Sequence, residues 1–246
     1  MPILEGKGVT KYFGGLAAVS RVDFQVEQGE VVGLIGPNGA GKTTLFNLIS
    51  AAMAPRSGTI RFKDVDITGL RPYKICRMGV ARTFQTVKVF PNMPVLNHVT
   101  LGSYFGSSAG MSSREALKSA LEILEFMGLA AVKATPANDL TLANQKRLEV
   151  ARALATKPEL LLLDEMMAGL NPTEVTQAME LVIKIRDKGI TIIMIEHVMK
   201  AIMSLCDRIM VLHHGQKIAE GTPQEIATSE KVIKVYLGDK AHAGSK

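Results

Sequence analysis

An α/β fold built on a mostly parallel sheet is predicted for this 246-residue chain by three observations. First, Val31 to Ile35, Leu160 to Leu163 and Ile190 to Ile195 are short, continuous and partly β-branched apolar runs, the pattern of parallel strands covered on both faces. Second, Val22, Phe24 and Val26, and again Ile60 and Phe62, alternate with polar residues between the breakers Gly29 and Gly58, which predicts a small antiparallel β layer near the N-terminus. Third, a stretch of helical character separates the first two apolar runs. Within it Ser112-x-x-Glu115 has the form of a capping box, Ala116, Ala120, Ile123 and Met127 recur at helical spacing, and Gly128 is placed to stop the helix. The preceding Gly106 to Gly110, GSSAG, reads as a flexible loop rather than a domain linker.

With 47% hydrophobic and 21% charged residues the chain can bury a sizeable core, and one domain is the expectation. The formal net charge is +6, but Lys and Arg are scattered without a basic run, so the excess reads as solvated surface and no nucleic-acid partner is expected. Cys76 and Cys206 lie far apart, with no Cys-x-x-Cys or Cys/His ligand spacing. Neither a zinc site nor a disulfide framework is indicated, and a reducing cytosol is the expected setting. The first ten residues carry no basic-then-apolar targeting pattern, and the longest apolar runs are too short to cross a bilayer. For work at a membrane, other chains must hold this one there.

The strongest chemical signal is GPNGAGKTT, Gly36 to Thr44, which fills G-x-x-x-x-G-K-[ST] between the first apolar run and the helix-like TLFNLISAA. This is the P-loop context, so a P-loop NTPase core and a nucleoside triphosphate site are predicted. The candidate nucleotide-binding residues are Gly36, Pro37, Asn38, Gly39, Ala40, Gly41, Lys42, Thr43 and Thr44. The glycines let successive N–H groups curl around phosphate oxygens, and the following helix adds its positive end. Lys42 bridges the outer phosphates, and Thr43 offers a hydroxyl to Mg²⁺.

LLLLDE complements this loop, because a buried strand ending in Asp164 can hold the hydrated Mg²⁺ while Glu165 points at an attacking water as general base. His197 follows the TIIMIE run as the acids follow theirs, so it too is expected at the C-terminal edge of the sheet, where ligands bind in open α/β folds.

Together these residues resemble the ATP-binding cassette (ABC) family, and the resemblance covers nearly the whole chain. It implies that Phe13 stacks on adenine, that Gln85 touches Mg²⁺ and the water and carries motion toward a membrane partner, and that His197 contacts the γ-phosphate. Ala168 to Asn171 stand at the family's D-loop. GGLAAV, ARTFQTVKVFPNMPVLNHV, AGLNPTE and the ending GTPQEI…VIKVYLG are most similar to the ATP-binding subunits of branched-chain amino acid importers. The resemblance implies a layout of β layer and P-loop core over 1–85, a helical subdomain over about 86–157, and the rest of the core with a C-terminal hairpin and helix over 158–246.

One segment departs from the family. Leu140, Thr141, Leu142, Ala143 and Asn144 occupy the signature usually written Leu-Ser-Gly-Gly-Gln, at the start of a helix expected near Gln145. In the family this segment meets the ATP on the P-loop of a second cassette, across a head-to-tail dimer. Thr141 keeps a hydroxyl and the helix start keeps its N–H groups, whereas Leu142 and Ala143 add bulk and restrict positive φ where glycine is usual. Met166 and Met167 replace a Pro-Ala pair and read as packing residues.

The resemblance implies an ATP-hydrolysing motor of an importer, docked peripherally on the cytoplasmic face of the membrane. Its partners would be permease subunits, an identical or different cassette and, indirectly, an external substrate-binding protein. Two other classes of cassette have different sequence marks. A soluble cassette of DNA repair or translation would carry a long coiled coil or two cassettes in one chain, and a weakly hydrolysing regulatory cassette would lack Glu165 or His197.

Overall fold

A computed structural model describes residues 2–84, 89–106 and 110–237. They form two compact units, Met1–Arg71 with Thr191–Lys246, and Pro72–Ile190. The first stretch carries β1 (Pro2–Phe13), β2 (Leu16–Glu27), β3 (Val31–Ile35), α1 (Lys42–Ile49), β4 (Ser57–Phe62) and β5 (Val65–Asp66). The second unit follows with α2 (Pro72–Met78), β6 (Val80–Arg82), α3 (Val95–Gly106), α4 (Ser113–Phe126), α5 (Leu142–Leu154), β7 (Leu160–Asp164) and α6 (Pro172–Arg186). The chain then completes the first unit with β8 (Thr191–Ile195), α7 (Met199–Leu205), β9 (Arg208–His213), β10 (Gln216–Gly221), α8 (Pro223–Thr228) and α9 (Glu230–Leu237).

The first unit contains both kinds of sheet. β2, β1, β4 and β5 pair antiparallel in that order, with Val22, Phe24, Val26, Ile60 and Phe62 all turned into the core. β3 lies between β8 and β9 and runs parallel to both, while β10 closes the edge as an antiparallel hairpin with β9. Every residue of β3 and β8 is buried, as unbroken apolar runs covered on both faces require.

β1 has no counterpart in the apolar patterning. Its pairing with β2 shifts register between Gly6 and Val9, and the Gly8 N–H turns to the Asp23 carboxylate at 2.6 Å, so the period-2 signal is broken. Gly58 is not a breaker but lies inside β4. At its φ of +87° an added Cβ would sit 2.4 Å from the Gly8 carbonyl oxygen, so the residue permits a close strand approach.

In the second unit β6 and β7 pair in parallel, and α3 packs on α4 and α5. α4 opens with the expected capping box, Ser112 and Glu115 exchanging side-chain and backbone bonds, and Gly128 at φ +69° ends it. Its buried stripe is Ala116, Ala120 and Leu124, continued by Met127; Ile123, expected in that stripe, is only half-buried. Among the described residues, no helix is long and apolar enough to cross a membrane.

Candidate nucleotide site

In the first unit the loop from Gly36 to Gly41 joins the end of β3 to α1, and its shape depends on two glycines. A Cβ at Gly36 would lie 2.1 Å from the Leu212 carbonyl oxygen, and one at Gly41 would lie 2.2 Å from that of Ala18. Both also hold positive φ, +149° and +105°, so a side chain is barred by contact as well as by torsion. The β9–β10 turn braces the same loop, with the Gly215 N–H donating to the Ala40 carbonyl at 3.0 Å and the Ser20 N–H donating to the Gly215 carbonyl at 2.7 Å.

Asn38 and Gly39 form the exposed tip of the loop, Pro37 is half-buried and Ala40 is buried. Lys42 opens α1 almost fully buried, and its ammonium donates to the Gly36 carbonyl at 2.6 Å and the Pro37 carbonyl at 3.1 Å. The first turn of α1 has neither a side-chain cap nor an acidic residue, so nothing within the helix itself offsets the partial positive charge of its N-terminus. Thr43 is exposed there and Thr44 half-buried. A glycine loop leading into a helix N-terminus has the backbone donors that suit an anion.

Two further candidates lie in the same unit. Phe13, the last residue of β1, is 50% exposed, which excludes a core role; the Lys11 ammonium sits 5.9 Å from its ring centroid. His197 is exposed just beyond the C-terminal end of β8.

In the second unit Asp164 ends β7 with 2% exposure. The Arg82 guanidinium donates to Asp164 Oδ2 at 3.2 Å, and the Asp164 N–H donates to the Thr83 hydroxyl at 3.0 Å, so the end of β6 holds this carboxylate in place. Burial pushes the Arg82 pKa down from its ordinary value, and the Asp164 charge is the largest effect opposing that shift. Glu165 follows with left-handed backbone, φ +52°, and its carbonyl accepts from the Ala168 N–H at 3.3 Å and the Lys146 ammonium at 2.7 Å. Met166 and Met167 are both buried, in keeping with a packing role.

The altered signature is resolved at the same level. α5 begins at Leu142, earlier than the expected start near Gln145, with Thr141 as its N-cap accepting from the Asn144 N–H at 3.4 Å. Leu142 and Ala143 are therefore first-turn helical residues, and neither has positive φ. The anticipated torsional demand for glycine is absent here, because a helix start uses ordinary negative φ. The two side chains diverge: Leu142 is 44% exposed, whereas Ala143 is packed inward at 9%. Asn144 is half-buried.

Gln85 lies outside the described residues. Arg82 and Lys146 escaped the reading from sequence. For Lys146 a signal existed, since it shares the stripe of Ala143 and Val150 on α5, where a charge is out of place.

Comparison with known proteins adds the following. The family profile described as ABC transporter matches residues 19–168, and that described as branched-chain amino acid ATP-binding cassette transporter matches residues 216–242. The high-affinity branched-chain amino acid transport ATP-binding protein BraF of Pseudomonas aeruginosa is 41% identical over 251 residues, covering 97% of this chain and 98% of that protein. The crystal structure of a nucleotide-free ATP-binding cassette from an ABC transporter superposes with a TM-score of 0.88 at 31% identity, covering 97% of this chain and all of that one. A dimeric ATP-binding cassette in a post-hydrolysis state, bound to ADP and Pi, matches with a TM-score of 0.81 at 27% identity, covering 89% and 98% of the two chains.

Proposed function

This chain belongs to the ABC transporter family of ATP-hydrolysing cassettes, and on that premise we propose that it is the motor subunit of an importer for branched-chain or other hydrophobic amino acids. The observation that carries the substrate class is the end-to-end similarity to BraF, joined by the separate C-terminal match at residues 216–242. In this reading the chain sits peripherally on the cytoplasmic face of the membrane, held by permease subunits, and pairs head-to-tail with a second cassette. The dimeric state of the related cassette supports pairing with a second cassette. Transported substrate does not touch this chain.

The proposed roles follow from the chemistry of each group. The P-loop N–H groups and the α1 N-terminus hold the phosphates, and Lys42 exchanges its loop carbonyls for the outer phosphate oxygens. Phe13 stacks on the base. Glu165 takes a proton from water as the water oxygen attacks the γ-phosphorus and the bond to the β-phosphate oxygen breaks, leaving ADP and phosphate. His197 and Lys42 balance the charge that develops on the γ-phosphate oxygens. The Thr43 hydroxyl and the Asp164 carboxylate are the hard oxygen donors that Mg²⁺ takes, and they would hold it together with phosphate oxygens. Mg²⁺, when bound, neutralises phosphate charge.

Reconstitution tests the assignment. The chain co-expressed with its permease and partner cassette in vesicles, given the cognate external binding protein, is expected to import labelled leucine, isoleucine or valine with ATP consumption. Import of polar or charged amino acids alone would overturn the substrate class and leave the motor role standing.

A further inference from the structure

The signature helix and the proposed general base are physically tied in this chain. Lys146 lies on the buried stripe of α5, only 8% exposed, and its ammonium donates to the Glu165 main-chain carbonyl at 2.7 Å. That carbonyl also accepts the Ala168 N–H, closing a turn from Glu165 to Ala168. One turn of helix toward the α5 N-terminus, Leu142 Cδ2 stands 3.1 Å from where a Cβ of Gly169 would be, so the same helix touches the end of this turn as well. Glu165 needs such support, because a non-glycine residue at φ +52° costs about 1 kcal/mol or more and persists only when its surroundings over-determine it. A charged donor on the carbonyl makes a stronger hydrogen bond than a neutral one.

We propose that Lys146 is a positioning residue for ATP hydrolysis: it fixes the main chain of Glu165, so that the direction of the Glu165 carboxylate follows the position of α5 and its signature turn. The inference rests on the reading of Glu165 as the base. Its consequence is a coupling within one chain between the turn offered to the partner's nucleotide and the carboxylate acting on the chain's own.

The test is a cycle of Lys146→Met, Lys146→Arg, Glu165→Gln and Lys146→Met/Glu165→Gln, measured on the full chain in its assembled transporter. Lys146→Met is expected to lower kcat about 10- to 100-fold, since a small misplacement of a reacting group has that effect, with KM for ATP and nucleotide affinity within about twofold. Lys146→Arg, which keeps a charged donor, is expected to recover most of the rate. In the Glu165→Gln background Lys146→Met is expected to change the residual rate less than about twofold, because the residue acts through Glu165. Lys146→Gln replaces Lys146→Met, with the same expectations, if the latter does not fold. Loss of nucleotide affinity in step with kcat, full additivity in the double variant, or wild-type kcat in Lys146→Met each overturn the proposal. Wild-type turnover in Glu165→Gln would instead remove the base assignment, and this inference with it.

Discussion

The Lys42 ammonium lies 2.6 Å from the carbonyl oxygen of Gly36, the residue that opens the same loop. A buried charge is thus held by its own loop, and in the proposed reading it trades a neutral carbonyl for a phosphate oxygen. In that reading Lys42→Ala removes the proposed phosphate clamp, whereas Glu165→Gln leaves it intact and removes only the proposed base. Lys42→Ala is expected to abolish tight ATP binding in a filter or fluorescence assay. Glu165→Gln should bind ATP normally and hydrolyse it about 10²-fold more slowly or worse. Equal loss of binding in both would count against the base.

Leu142 and Ala143 separate under substitution because one faces out and the other in. Leu142→Gly takes an exposed side chain from the α5 N-terminus and is expected to leave ATP turnover in the assembled transporter unchanged or raised, provided that Lys146 alone suffices to hold the Glu165 turn. Ala143→Gly vacates a packed position in a helical first turn and should cost about 1 kcal/mol in chemical denaturation without a gain in rate. A marked fall in turnover for folded Leu142→Gly would mean that the leucine is itself needed, on the dimer surface or against Gly169 at the end of the Glu165 turn.

Arg82 and Asp164 form a pair with side-chain exposures of 9% and 1%. Arg82→Met takes a charged partner from the buried Asp164 carboxylate and is expected to lower unfolding free energy by about 3–5 kcal/mol, with Arg82→Lys intermediate. Unchanged denaturation midpoints for Arg82→Met would show that the pair is worth little.

Phe13 is exposed, so its loss should be felt by ligand rather than by fold. Phe13→Ala is expected to weaken ATP affinity by roughly 1–2 kcal/mol and Phe13→Tyr to be nearly silent, with thermal midpoints of the ligand-free protein unchanged. A lowered midpoint without nucleotide would contradict the stacking role.

Burial, and then the neighbouring Asp207 charge, push the Cys206 thiol up to about 12. At pH 8 only about 10⁻⁴ of it is thiolate, so thiol reagents are expected to modify Cys206 on the timescale of unfolding. Half-buried Cys76, also raised first by burial, should label sooner. Rapid stoichiometric labelling of Cys206 in the native protein would refute this.

What could be read from the sequence was what contiguous residues encode. The nine residues from Gly36 to Thr44 carry the P-loop pattern, and the apolar runs of β3, β7 and β8 carry their own burial, because glycine spacing, strand period and helix start are local properties. The α4 capping box was legible for the same reason. What tertiary structure alone decided were contacts between distant residues: Arg82 with Asp164 across 82 positions, Lys146 with the Glu165 carbonyl across 19, and β1 drawn into a sheet despite its broken alternation. The meaning of the altered signature belongs to this second group. Whether Leu142 and Ala143 tolerate the places of two glycines depends on the backbone torsion there, and that torsion is an ordinary helical one because α5 starts at Leu142.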